Sequence, residues 1–146
     1  MTPIQKELVQ STWKQVVPIA DAAAVLFYNR LFEIDPSTKP LFNDTDLPRQ
    51  RKKLMQIIGT AVTSLNRLDA LVPVVEDLGR RHAGYGVKDE HYDSVGAALL
   101  WTLEQGLGEA WTPNVKAAWT ETYVLLSGVM RRAQAERMKM KDTVAA

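Results

Sequence analysis

From Ile4 to Met130 the apolar residues of this chain recur at three- and four-residue intervals, the spacing of one face of an α-helix. Over no useful length do they alternate as a strand would. Thr2-Pro3-Ile4-Gln5 opens a first helix: Thr2 can cap it, Pro3 suits its first position and Gln5 can complete a capping box. Its face runs Ile4, Leu8, Thr12, Trp13, Val16 and Val17. Pro18 and Asp21 mark the junction to a second helix over about 19–33, with Ala20, Ala24, Phe27, Tyr28, Leu31 and Phe32 inward. The proline-rich stretch from Asp35 to Phe42 fits only a short helical turn. A polar loop of Asn43-Asp44-Thr45-Asp46 follows. Asp46 and Pro48 then open a third helix, facing inward with Leu47, Gln50, Leu54, Ile57, Ile58, Ala61 and Leu65. Gln50 is the odd member, an amide on an apolar face.

Residues 66–70 read as a connection, and Pro73 as the start or a kink of a fourth long helix. Its face is Leu71, Val74, Val75 and Leu78, and one turn further the same face lands on His82, just before Gly84 and Gly86 stop the helix. An inward imidazole is either a core group satisfied by a neighbour or a ligand, and the spacing alone leaves both readings open. Asp89 can cap a helix to about residue 106, with Tyr92, Val95, Leu99, Leu100 and Leu103 inward. Thr112-Pro113 opens the last helix, carrying Val115, Trp119, Tyr123, Leu126 and Met130. From Arg131 to Ala146 the chain turns charged and loses its stripe, which predicts a solvated or frayed end. The expectation is an all-α domain over 1–146, with six or seven unequal helices. A regular bundle wants matched helices; unequal ones with a proline-rich corner fit large crossing angles around something enclosed.

Composition narrows the chemistry. The chain has 146 residues, a net charge of +1 and no block of like charge, so nothing points to nucleic acid. There is no cysteine, which excludes a disulfide framework, a thiolate metal site, an iron–sulfur cluster, haem attached through cysteines and a cysteine nucleophile. No apolar run approaches a membrane span, and the first residues lack the apolar core of a signal peptide, so a cytoplasmic protein is expected.

The polar exceptions on the apolar faces then fall into an order: Tyr28, Pro36, Phe42, the pair Gln50 and Leu54, and His82 before a glycine corner. With the phrases LFYNRLF, PLF, RQRKKLMQIIG, LGRRHAGYGV and EHYDSVGAALL at matching spacing, the chain resembles the globins over about residues 4–134. The resemblance is to bacterial single-domain globins related to the haem domain of flavohaemoglobins. It implies a globin fold around noncovalent haem b, with His82 as the proximal iron ligand and Tyr28, Gln50 and Leu54 lining the distal side. O₂ held there takes on partial negative charge, so a phenol O–H and an amide N–H would hold it, and Leu54 would exclude water. Phe42 would stack on the porphyrin, Val87 and Val95 would touch its proximal side, and Lys53 and Arg81 would pair with propionates or simply be solvated.

The same resemblance implies a proximal hydrogen-bonded set in which Tyr92 takes the tyrosine position. The position of the family's glutamate falls on Gln134, a departure that weakens electron push toward iron; a slip of register would bring Glu136 there instead. Gln50 stands where a histidine would close the iron, and Met55 is turned away, so a five-coordinate ferrous iron is expected. The implied function is binding, storing or delivering O₂, with NO and CO as further ligands. NO dioxygenation with a separate reductase is the enzyme alternative, and a haem-based gas sensor a third.

Overall fold

The computed structural model describes residues 1–145, with side chains described through residue 140. Six α-helices occupy the described residues: α1 (Pro3–Val16), α2 (Ala20–Ile34), α3 (Leu47–Thr63), α4 (Leu68–His82), α5 (Asp89–Leu107) and α6 (Pro113–Ala145). Three 3₁₀ segments join them, Val17–Ile19, Pro36–Phe42 and Gly108–Ala110. No strand occurs among the described residues.

The helices start where the cap chemistry says they should. Thr2 Oγ1 accepts from the Gln5 N–H at 3.1 Å while Gln5 Oε1 accepts from the Thr2 N–H at 2.9 Å, the reciprocal pair of a capping box. Asp46 caps α3 by accepting from the Arg49 N–H. The start of α5 is different from expectation. Lys88 is its N-cap and Asp89 its first residue, because the His91 ring takes the capping role: its Nδ1 accepts from the Lys88 N–H at 2.9 Å.

The core forms three clusters. The largest joins α1, α3, α5 and α6 around Val9, Trp13, Val62, Leu65, Leu103 and Trp119. Trp119 is buried among them, and its Nε1 donates to Thr12 Oγ1 at 2.9 Å, so its one polar atom is satisfied. A second cluster sets Phe27, Tyr28 and Leu31 of α2 against Ala98 of α5, with Phe42 and Leu54 packed on it. A third brings Ala61, Leu71, Val75 and Val129 together between α3, α4 and α6.

One glycine sets the height of α4 against α6. A Cβ on Gly79 would lie 2.4 Å from the Met130 carbonyl oxygen and 2.7 Å from the Met130 Cα, so only glycine allows the two backbones to meet. His82 follows Gly79 by three residues and Gln134 follows Met130 by four, each one turn further along its helix.

Several expected faces shift. Ile4, Val17, Ile57 and Val74 are exposed rather than inward. On α4 the buried positions are Leu71, Val75 and Gly79, four residues apart, so the face centres on those and Val74 falls off its edge. Helix α4 begins at Leu68, which absorbs most of the expected connection and leaves Pro73 inside its second turn. There Pro73 interrupts no more than one backbone bond near the helix start. The last helix does not stop at Arg131: Ala133 and Gln134 are buried and the helical backbone runs to Ala145, while side chains 135–140 are exposed. The side chains from Lys141 on lie outside the described residues, as does Ala146 altogether.

Candidate functional site

Helix α4 delivers His82 in its last turn, half-buried, facing α5 and α6. His82 Nδ1 lies 3.0 Å from the Tyr92 hydroxyl, which lies 2.5 Å from Gln134 Oε1. Gln134 Nε2 in turn donates to the Val87 carbonyl oxygen at 2.5 Å. The direction of every proton in this chain follows from its last member. A carbonyl only accepts, so the Gln134 amide must present its NH₂ to Val87 and its oxygen to Tyr92. The Tyr92 O–H then donates to that oxygen, and its own oxygen accepts from His82. Nδ1 therefore carries the imidazole proton, and Nε2 holds the free lone pair. Nε2 makes no hydrogen bond among the described residues.

Burial holds the His82 imidazolium pKa below its ordinary value, with the nearby Arg81 charge adding to the effect. Both effects favour the neutral ring, the form a metal ligand needs. Among the described residues no three histidine, cysteine, aspartate or glutamate side chains converge as a metal cage. A lone imidazole nitrogen suits a metal whose other ligands come with it, as in a macrocycle. Tyr92 is buried, which pushes its phenol up to about 12 and keeps it a hydroxyl donor.

The second cluster presents Tyr28, buried and edge-on to both Phe27 and Phe42 at centroid distances of 5.0 and 5.4 Å. Phe32 closes on Phe42 at 5.9 Å. Burial raises the Tyr28 phenol, and the Gln50 amide and the Arg51 charge beside it pull part of that back. Tyr28 and Gln50 are therefore neighbours, from α2 and α3. Leu54, one turn on from Gln50, packs on the same cluster with Val95 of α5, while Met55 packs on the largest cluster on the other side of α3.

The structure thus groups Tyr28, Phe42, Gln50 and Leu54 in one cluster, with Val95 packed there and not beside His82 as expected, and joins His82, Tyr92, Gln134 and the Val87 carbonyl in one line of hydrogen bonds. Gln134, not Glu136, meets Tyr92; Glu136 is exposed. Arg81 is exposed and paired with Asp77 on its own helix at 3.3 Å. Lys53 is exposed and lines an open pocket of about 240 Å³ with Thr45, Asp46, Arg49 and Gln50, at the outer edge of α3.

Three groups that the sequence reading did not single out support this arrangement. Tyr123 donates its hydroxyl to the Tyr92 carbonyl, and Gly96 leaves room for the Tyr123 ring, since a Cβ there would sit 2.7 Å from it. Arg131 bonds Asp93 on α5. His91 is buried with both ring nitrogens engaged: Nδ1 accepts from Lys88, and Nε2 lies 3.2 Å from Ser37 Oγ. Ser37 and Ser94 both donate to the Asp35 carboxylate, which these bonds hold below the usual carboxylate range. Gly96, an interior glycine of α5, was the one available signal, since an uncompensated helical glycine marks close approach. The others depend on tertiary pairing and left no local pattern.

The donor set fits an axial ligand to haem. The chain offers a neutral imidazole with Nε2 free and, separately, an aromatic and aliphatic cluster that ends in a phenol and an amide. Comparison with known proteins points the same way. The globin family model matches residues 25–130. A neuroglobin of Tetraodon nigroviridis is 31% identical over 144 residues, covering 90% of this chain and 91% of its own. The flavohemoprotein of Bacillus subtilis is 31% identical over 123 residues, or 83% of this chain, which spans only 31% of that longer protein. Among solved structures, a hexacoordinated haem protein from an anhydrobiotic tardigrade superposes with a TM-score of 0.84 over 92% of this chain and 96% of its own, at 19% identity.

Proposed function

The chain belongs to the globin family, and from that premise we propose that it holds haem b noncovalently, with His82 Nε2 as the axial ligand, and binds O₂ and other diatomic gases. The observation that carries this reading is the proton order fixed from Val87 back to His82, which leaves Nε2 the free nitrogen of a neutral, oriented imidazole. Bound haem would supply an iron able to take up a small gas. The protein's own part is to fix the imidazole plane through Tyr92, exclude water with Leu54 and Phe42, and offer the Tyr28 O–H and Gln50 N–H to a polarised ligand. Each such bond is worth on the order of 1–3 kcal/mol in a dry site. Two would slow gas release by roughly two orders of magnitude, at about 1.4 kcal/mol per tenfold.

On this reading no second side chain of the protein would close the ferrous iron. Of the two histidines, His91 is committed to Lys88 and Ser37, and Met55 packs on the far side of α3. The hexacoordinated structural neighbour shares the fold at low identity, so its coordination belongs to its own side chains. Tight gas binding with slow release suits storage, delivery to a partner at low O₂, or reaction with NO. For the last, the enzyme alternative, a separate reductase would supply electrons. The relay from His82 ends on a neutral amide and a carbonyl, which favours ligand binding over oxidative chemistry. No described helix is long and apolar enough to cross a membrane, in keeping with a cytoplasmic role.

The test is the visible spectrum of the purified protein, ferric, reduced and then exposed to O₂. One broad visible band on reduction that splits into two with O₂ is expected. Two sharp bands on reduction would mean a second protein ligand. Sustained NO consumption with an added reductase, beyond one equivalent, would move the assignment to the enzyme.

A further inference from the structure

Outside the chain of hydrogen bonds that ends on His82, an arginine reaches the face of Tyr92, with the Asp89 carboxylate also near enough to act on it. The Arg131 guanidinium carbon lies 5.2 Å from the centroid of the Tyr92 ring, over its face. It is held there from both sides. Nη2 donates to Asp93 Oδ1 at 2.6 Å, and Nε lies 3.7 Å from Asp89 Oδ1 with no hydrogen bond of its own although buried. The two carboxylates come from the first two turns of α5 and the arginine from α6, so this triad clamps the segment that carries Tyr92 against the helix that carries Gln134.

We infer that Arg131 is a positioning residue that tunes the imidazole of His82 through Tyr92, with Asp93 and Asp89 setting how much of its charge is felt. The inference rests on His82 being the haem ligand. A cation over an aromatic face draws on the ring's electron density. Drawn toward Arg131, the Tyr92 oxygen becomes a poorer acceptor from His82 Nδ1–H and its O–H a better donor to Gln134. The imidazole keeps more of its proton and gives less electron density to whatever Nε2 binds. Asp93 works against this by neutralising the guanidinium. Arg131 thus acts in the same direction as the neutral Gln134, from a second element and by charge rather than by a hydrogen bond.

The experiment compares the haem-loaded parent with Arg131→Met and Asp93→Asn. It reads the iron–histidine stretching frequency of the ferrous protein, the midpoint potential and the thermal midpoint. Arg131→Met removes the cation, so the stretch is expected to rise and the potential to fall. Asp93→Asn unmasks the cation, so both are expected to move the opposite way, and Arg131→Lys to stay near the parent. A clamp that is only structural is broken by both changes; it predicts shifts of one sign in both variants, or none, beside a lower thermal midpoint. Either result would overturn the inference. A parent with no iron–histidine band at all would instead overturn the ligand assignment on which it rests.

Discussion

The two sides of the candidate site are built by different means. The His82 side is a line of hydrogen bonds crossing three helices, from α4 through α5 to α6 and back to the backbone at Val87. The Tyr28 side is a packed group of rings in which Phe27 and Phe42 meet Tyr28 edge-on and Phe32 lies tilted against it. Hydrogen bonds fix direction, so the first side determines which nitrogen is free. Packing fixes shape and excludes water, so the second determines what can approach it and how dry the approach is. A ligand must be aimed, whereas a gas pocket must be tight with one or two donors.

Changes on the two sides should therefore separate stability from gas kinetics. The largest effect is expected where the His82 side depends on backbone contact. Gly79→Ala gains about 1 kcal/mol in helix propensity but forces a Cβ into the Met130 backbone, an overpacking cost of about 3 kcal/mol. A net loss near 2 kcal/mol should appear in denaturant unfolding, with weaker haem retention as α4 lifts. Gln134→Leu should come next, costing about 1–2 kcal/mol by leaving the Tyr92 O–H and the Val87 carbonyl without their partner. Thermal unfolding checks this, and a midpoint equal to the parent's would show that the relay is not structural.

On the other side, Tyr28→Phe keeps the ring packing and should leave the unfolding midpoint nearly unchanged. Its expected signature is O₂ dissociation faster by about tenfold, or 1.4 kcal/mol, in stopped-flow measurements. A slower or unaltered rate would mean that the hydroxyl serves only the core. The smallest effect concerns Asp35, which ties the segment bearing Phe42 to α5. Its folded pKa is lowered by Ser37 and Ser94, so its contribution is present above the unfolded value near 4 and is lost as pH falls through the folded one. Asp35→Asn should lower the thermal midpoint at neutral pH, with the gap to the parent closing as the pH drops below about 4.

How much of this was legible beforehand follows the same division. The helices and their starts rest on local rules: the Thr2–Gln5 box, the Asp46 cap and the apolar spacing of α2 and α3 could be read directly. Tyr28, Gln50, Leu54 and His82 stood out as residues at odds with or completing an apolar face, and the structure sets the first three together between α2 and α3 and bonds His82 to Tyr92. The errors are where tertiary contact decides. The α4 face rotates because Gly79, not Val74, meets α6. The charged end of the chain stays helical because Gln134 has a buried partner 42 residues away. His91 left no mark in the sequence pattern, yet its ring accepts the Lys88 N–H at the start of α5. Arg131 read as the first solvated charge, yet it lies over Tyr92.

The central claim is that His82 Nε2 holds the haem, and the most direct measurement is haem titration of His82→Gly with and without added imidazole. The account predicts that the variant fails to form the parent's Soret band until imidazole fills the space, and that Tyr92 then orients the added ring. A variant that takes up haem tightly with the parent's spectrum and no imidazole would contradict it.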